Sequence, residues 1–140
     1  MTIPTPSMED YLEKIYLTIQ QKGYARSVDI ASSLNVLPSS VTKMMQKLDE
    51  EGFGIYEKYR GFVLTEKGTT TAKKLVEKHE MLEDFLKMIG VQDKNIYEEV
   101  EKLEHYISKE TSHCLTTLIE FFEENPAVKK DYLKFRKEKI

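Results

Sequence analysis

The 140-residue sequence has one cysteine and no long apolar run, and these two shortages exclude several classes of protein. Cys114 cannot form an internal disulfide, and no second thiol lies nearby to complete a zinc site. Charged residues interrupt every apolar stretch well before the length of a membrane span, and the basic-then-apolar start of a signal peptide is missing. No repeat or low-complexity tract is visible. We therefore expect a soluble cytoplasmic protein with no membrane partner, in which Cys114 packs inside a helix bundle.

Charge is unevenly distributed along the chain. The formal net charge of −3 argues against a protein coated in positive potential. Residues 1–74 contain 10 Lys and Arg and 9 Asp and Glu, whereas residues 75–140 contain 11 and 15. The first half is therefore the more plausible nucleic-acid face, and the acidic second half suits cations better. With 40% hydrophobic residues, the chain can bury a core in one compact domain or two small ones.

Apolar residues spaced three and four apart predict three helices in the first part of the chain, at Met8–Lys22, Ser27–Leu34 and Pro38–Glu51. Ser7 and Ser27 are the expected N-caps of the first two, and Asp10 is a weak capping-box partner of Ser7. The second helix is expected to bury Val28 with its other apolar residues. Pro38 suits the first turn of the third helix, because its missing N–H is not needed there.

After Gly52 the period changes, and the alternating segment Ile55–Thr65 predicts a β-hairpin with Arg60 and Gly61 at its turn. Thr65 is the expected cap of a long helix to Ile89, and Gly90 ends it. Further helices are predicted at about Asn95–Ile107, Thr111–Asn125 and Val128–Lys139. The fold class is therefore mainly α. We expect an N-terminal winged helix-turn-helix over residues 1–71 and an α-helical metal-binding and dimerisation domain over residues 72–140.

The third helix has the side chains that a DNA recognition helix needs. Short hydroxyl and amide groups can reach base edges, and lysines can neutralise phosphates. The alternative is a helix that is merely a soluble surface, and the helix order around it favours DNA. We predict that base edges are contacted by Ser39, Ser40, Thr42 and Gln46, and phosphates by Lys43, Lys47, Lys58 and Arg60. One such module has little area, so we expect a homodimer on double-stranded operator DNA.

A second motif, Glu101, Glu104 and His105, stands at positions i, i+3 and i+4 of the predicted helix after Asn95. On one helix face, two carboxylates and an imidazole can converge on a small volume, which is most of a metal site. Taken alone, the pattern is more often a solvated helix face. His113, near a predicted helix start, is expected to be a surface or packing residue.

Three other residues supply further ligands from other helices. Asp10 and Glu13 lie at i and i+3 of the first helix, and His79 lies on the long fourth helix. Alternatively, the two acids are favoured only by the helix dipole, and His79 sits at the edge of a core. Together with the triplet they offer four carboxylates and two imidazoles, a set that can hold two divalent ions. The oxygen-rich ligands suit Mn²⁺ better than copper or a structural zinc.

Four segments of the chain, Ser7–Glu13, Pro38–Leu48, Tyr56–Gly61 and Val100–His105, closely resemble the manganese-responsive branch of the diphtheria toxin repressor family, also called the iron-dependent repressors. The resemblance covers nearly the whole chain. Carried over position by position, the family's metal ligands are Asp10, Glu13, His79, Glu101, Glu104 and His105. Iron-responsive members have Met and Cys at the positions of Asp10 and Glu101, so the oxygen ligands imply the manganese branch.

The resemblance also implies a homodimer that binds a palindromic operator and represses manganese uptake genes when Mn²⁺ is plentiful. We expect two Mn²⁺ per chain, with Cd²⁺, Fe²⁺ or Zn²⁺ able to occupy the same site, and no organic substrate. The larger members' C-terminal SH3-like domain is not expected here. Two rival functions are a di-metal carboxylate enzyme in a helical bundle and a regulator that senses an organic ligand. The enzyme fits poorly, because neither His79 nor His105 has Glu three residues before it.

Overall fold

The computed structural model describes residues 3–140, and over this range the regular secondary structure is helical apart from one small hairpin. It divides into two compact units, Met1–Val76 and Glu77–Ile140. Within the described range, no helix is long and apolar enough to cross a membrane. The elements in order are α1 Pro6–Lys22, α2 Ser27–Leu34, α3 Pro38–Glu50, β1 Gly54–Glu57, β2 Gly61–Leu64, α4 Glu66–Ile89, α5 Asp93–Leu103, α6 Lys109–Glu124 and α7 Pro126–Lys139.

The starts of α1 and α2 differ from the sequence prediction. Thr5, not Ser7, caps α1, because the Met8 N–H donates to Thr5 Oγ1 at 3.2 Å and Ser7 lies inside the helix. Asp10 is therefore no capping-box partner. Helix α2 has the predicted bounds, but Arg26 occupies its N-cap position and its N–H donates to Asp29 Oδ2 at 3.3 Å. Hydrogen bonding from Lys22 lowers the pKa of Asp29, which keeps this carboxylate charged.

The first unit has its own apolar core, which the three helices, the hairpin and the start of α4 build together. Leu12, Ile15, Ile30, Met45 and Leu48 are among its fully buried side chains. Val28, in contrast, is 61% exposed, so the prediction that it is buried is wrong. The other apolar residues of α2 cover its inner face, and Val28 falls outside that stripe.

Strands β1 and β2 pair antiparallel, with Tyr56 opposite Phe62, and form the predicted wing. The turn is earlier than predicted, since the strands are joined by the segment 58–60, with Tyr59 at φ 72°. Gly61, at φ 107°, begins β2, and a Cβ there would lie 2.5 Å from Ala25 O. Phe62 N donates to that same oxygen at 2.7 Å, which fastens the wing to the chain entering α2.

The second unit has a smaller core of Leu82, Leu86, Ile96 and Val100. Helix α7 adds a cap to the end of α4, since Arg136 Nη2 donates to Gly90 O at 2.8 Å. Helix α6 contributes no fully buried residue within the described chain. Its Cys114 and His113 are exposed, so the prediction that Cys114 packs inside a bundle is wrong for the single chain.

Helix α5 ends earlier than predicted, at Leu103 rather than near Ile107. Tyr106 N and Ile107 N both donate to Leu103 O, at 3.1 and 3.2 Å, which closes the helix in a turn. Glu104, the C-cap residue, keeps helical φ and ψ of −59° and −28°, and its N–H donates to Val100 O. The backbone therefore still directs Glu104 to the face that carries Glu101, although it lies past the helix end.

Candidate metal centre and DNA-binding surface

His79, on α4, is held between carboxylates on both edges of its imidazole ring. Its Nδ1 lies 2.7 Å from Glu104 Oε2 and 3.6 Å from Glu101 Oε1. Its Nε2 lies 2.7 Å from Glu83 Oε1. The His79 side chain is 16% exposed, so these charged groups meet in a region partly removed from water. Contacts of this length between imidazole and carboxylate are charge-assisted hydrogen bonds.

Glu104 is the most enclosed charged residue of the group, because its side chain has no exposed surface. One oxygen is bonded to His79, and the other, Oε1, lies 3.7 Å from His105 Nε2. Among the described residues, no donor makes a hydrogen bond to Oε1. A buried carboxylate is costly unless its lone pairs are used, so an oxygen left over in this position fits a cation ligand.

The protonation of His79 follows from these neighbours. Its hydrogen bond to Glu104 is the main cause that raises the pKa of His79 from 6.5 to about 9, and burial opposes the shift. The charge of Glu104 and the hydrogen bond to Glu83 add to it. In the metal-free protein at neutral pH, His79 is therefore an imidazolium that neutralises part of the acidic cluster.

The second unit thus brings together four of the six predicted metal ligands. His79, Glu101 and Glu104 each place a nitrogen or oxygen within 4.8 Å of the others, and His105 does so with Glu104. Such a donor set of carboxylate oxygen and imidazole nitrogen fits Mn²⁺ and its neighbours in the first transition row.

The two remaining predicted ligands, Asp10 and Glu13, belong to the first unit. Both lie on α1, three residues apart, beside the buried Leu12. Glu13 is buried, with 9% of its surface exposed, and Asp10 is half-buried. Neither is therefore an ordinary solvated acid of a first turn. Their participation with the ligands of the second unit stays a prediction.

Sequence reasoning missed Glu83. The residue follows His79 by four positions on α4, so the two side chains share one helix face. That spacing was the available signal, but the segment 79–83 also contains Glu80, which is exposed. Spacing alone would not have shown which nitrogen of His79 meets which carboxylate.

The predicted DNA-contacting residues lie on α3 and at the wing. Those that are exposed, and so open to a ligand, are Ser39, Ser40, Lys43, Gln46, Lys47, Lys58 and Arg60. Thr42 is half-buried, and its hydroxyl lies 2.8 Å from Ser27 Oγ and 3.1 Å from Pro38 O. That hydroxyl therefore joins α3 to α2. Arg60 lies 3.6 Å from Glu57 but stays 84% exposed, so this ion pair is weak. Leu37, which directly precedes α3, is 70% exposed and was not predicted as part of this surface.

Two family models match the chain and together cover most of it. The model "Iron dependent repressor, N-terminal DNA binding domain" matches residues 4–62. The model "Iron dependent repressor, metal binding and dimerisation domain" matches residues 65–133. The first match ends inside β2, and the second begins just before α4.

Three individual proteins are similar to most of this chain. The HTH-type transcriptional regulator MntR of Lysinibacillus sphaericus is 56% identical over 128 residues, 91% of this chain and 92% of that protein. The protein of the same name from Bacillus subtilis is 54% identical over 133 residues, 95% of this chain and 94% of that one. The solved structure of the manganese regulator SloR is 31% identical, with a TM-score of 0.71 over 84% of this chain. The match spans 55% of SloR, about half its length.

Proposed function

The chain belongs to the iron-dependent repressor family, whose members are DNA-binding repressors and not enzymes, and within it we propose that this protein is a manganese-responsive transcriptional repressor. In this proposal it binds palindromic operator DNA as a homodimer when Mn²⁺ is bound and represses manganese uptake genes. The single observation that carries the metal-sensing part is the buried carboxylate of Glu104. One of its oxygens is hydrogen-bonded to His79, and the other has no hydrogen-bond donor among the described residues. The names of the most similar relatives favour manganese.

The metal would be held by six residues, which are Asp10, Glu13, His79, Glu101, Glu104 and His105. Bound Mn²⁺ would supply a concentrated positive charge that neutralises the clustered carboxylates. Four carboxylates and two imidazoles are enough for two ions per chain. Because intrinsic affinity for Mn²⁺ is low in the usual metal order, Cd²⁺, Fe²⁺ and Zn²⁺ should also bind, and response to Mn²⁺ must depend on geometry and supply.

The origin of the ligands indicates a mechanism. Asp10 and Glu13 belong to α1 of the DNA-binding unit, whereas Glu101, Glu104 and His105 belong to the unit that matches the dimerisation model. When all of them bind the same metal centre, the DNA-binding units of a dimer are fixed relative to their dimerisation units. Metal and DNA then favour the same arrangement, and each tightens binding of the other by the same factor.

DNA recognition would use α3 and the wing. Ser39, Ser40 and Gln46 are proposed to contact base edges in the major groove, and the hydroxyl of Thr42 would have to leave its bonds within the unit to join them. Lys43, Lys47, Lys58 and Arg60 are proposed to contact phosphates, because each is exposed and positively charged.

Replacing Lys43 with alanine should weaken operator binding and make it less sensitive to salt. The slope of log affinity against log salt should become shallower by about 0.9 for each lost phosphate contact, or about 1.8 for a dimer. Sequence preference should be unchanged, because a phosphate contact does not read bases. The operator is first selected from a pool of random DNA duplexes by binding to the wild-type protein in Mn²⁺. Fluorescence anisotropy with this operator at several salt concentrations then measures the slope.

The matched control for Lys43→Ala is Lys94→Ala, which removes an exposed lysine from α5 in the other unit. It should leave the slope unchanged. If Lys43→Ala keeps the full slope, or if it alters the selected sequence, the assignment of Lys43 to phosphate is wrong.

Mn²⁺ binding should release protons at neutral pH. His79 has a pKa of about 9 in the metal-free protein, and a metal can bind only the deprotonated nitrogen. Apparent Mn²⁺ affinity should therefore rise about tenfold per pH unit up to about 9 and then level off. The stability of the metal-free protein varies with pH in the opposite direction. The raised pKa of His79 stabilises the fold fully below pH 6.5, and this stabilisation is lost as the pH rises through about 9.

Titration calorimetry in buffers of different ionisation enthalpy counts the released protons. We expect at least one proton per chain at neutral pH, and the same count in His113→Gln, which changes an exposed histidine outside the cluster. A count of zero, with affinity that does not vary across the neutral range, would show that His79 is not a ligand.

A further inference from the structure

The two nitrogens of His79 face different partners. Nδ1 points to Glu104, at 2.7 Å, and to Glu101, at 3.6 Å, both of which are proposed metal ligands. Nε2 points to Glu83, at 2.7 Å, which is not among them. Because the two nitrogens lie on opposite edges of the imidazole ring, a metal held with Glu101 and Glu104 has access only to Nδ1.

We propose that Glu83 is a positioning residue for the metal centre, an inference that rests on the proposed function. Its carboxylate accepts the Nε2–H of His79 and holds that proton in place when the metal replaces the proton on Nδ1. In protein metal sites, a ligating histidine usually donates its other N–H to such an acceptor, which sets both the tautomer and the ring orientation. Glu83 therefore decides which nitrogen of His79 binds metal.

Glu83 is well placed for this role because it lies on the same helix as His79. The two residues are four apart on α4, so their contact is built within one helix. His79 is 16% exposed and Glu83 is 32% exposed, so the carboxylate also shields the Nε2 edge of the ring from water. The ring thus has a fixed orientation before a metal arrives, which reduces the ordering that binding requires.

The tautomer can be observed directly by NMR on protein with isotopically labelled histidine and glutamate, loaded with an NMR-active isotope of Cd²⁺. Cadmium coupling should appear at Nδ1 of His79, and the proton should remain on Nε2. Coupling at Nε2 would overturn the proposal, and so would coupling to the carboxyl carbon of Glu83, since that would make Glu83 a ligand.

Three variants separate positioning from general stability. Glu83→Leu removes the acceptor and should weaken Cd²⁺ and Mn²⁺ binding about 10–100-fold. Glu83→Gln keeps an amide oxygen that can accept the Nε2–H, and should bind within a few-fold of wild type. Glu80→Gln makes the same charge change at an exposed site on the same helix and should bind like wild type.

Circular dichroism and thermal melting in EDTA establish that each variant is folded. If Glu83→Leu does not fold, the wild-type NMR still decides, because it reports directly which nitrogen of His79 binds the metal. Wild-type affinity in Glu83→Leu would overturn this inference alone. Failure of wild-type protein to bind either Mn²⁺ or Cd²⁺ would instead overturn the proposed function.

Discussion

A protein with Glu104→Gln is expected to lose Mn²⁺-dependent operator binding, with its Mn²⁺ affinity lowered by at least about 100-fold. The loss should exceed the 10–100-fold typical of an outer-shell partner, because Glu104 is a proposed direct ligand. Its carboxylate is fully buried, contacts His79 at 2.7 Å and lies 3.7 Å from His105. The amide is similar in size but carries no charge, so its oxygen is a weaker ligand for Mn²⁺ than the carboxylate oxygen.

The same substitution has a second consequence that does not depend on metal. Hydrogen bonding to Glu104 is the main cause of the raised pKa of His79, so in Glu104→Gln that pKa should fall from about 9 toward 6.5. A pH titration of the His79 ring protons by NMR in EDTA measures the change. The result would show that the contact exists in solution.

Glu98→Gln is the control for both measurements, because it removes one charge from an exposed acid of α5. It should bind Mn²⁺ like wild type. Calorimetry, or electron paramagnetic resonance of free Mn²⁺, gives the affinities. If Glu104→Gln is folded and binds Mn²⁺ as tightly as Glu98→Gln does, Glu104 is not a ligand and the metal centre must lie elsewhere.

Much of the fold is readable from the sequence because glycine and proline mark its boundaries. Gly23 and Gly90 follow the ends of α1 and α4 with φ of 84° and 96°, and Pro38 begins α3, as predicted. The helix N-caps were harder to predict. Thr5 and Ser7 are both suitable residues, and a helix can start at Pro6 or after it, so local chemistry does not choose between them.

The candidate metal centre was only partly predictable for a different reason. The sequence places Glu101, Glu104 and His105 at helical spacing, but the helix ends at Leu103, and the pattern holds only because Glu104 keeps a helical backbone. The role of Glu83 depends on ring orientation, which no periodicity encodes. The exposure of Cys114 was mispredicted because α6 has an apolar stripe, but no residue of α6 is buried among the described residues 3–140.

Glu13→Gln is expected to separate metal binding from DNA binding. Glu13 is the more buried of the two proposed ligands from the DNA-binding unit, the other being Asp10. The other four proposed ligands, His79, Glu101, Glu104 and His105, all belong to the second unit. The variant should still bind Mn²⁺, more weakly, through those four residues. Asp10 would then be the one remaining proposed ligand between the DNA-binding unit and the metal, so the 5–150-fold coupling typical of allosteric proteins should fall toward about onefold. Glu66→Gln, an exposed acid at the start of α4, is the charge-matched control.

The most direct measurement is the operator affinity of the wild-type protein in Mn²⁺ and in EDTA, by fluorescence anisotropy, with Glu13→Gln and Glu66→Gln measured alongside. The prediction is that Mn²⁺ tightens operator binding of wild type and Glu66→Gln by about 5–150-fold and leaves Glu13→Gln nearly unchanged. Equal operator affinity of wild-type protein in Mn²⁺ and in EDTA would contradict metal control of DNA binding. It would favour a regulator that responds to an organic ligand instead.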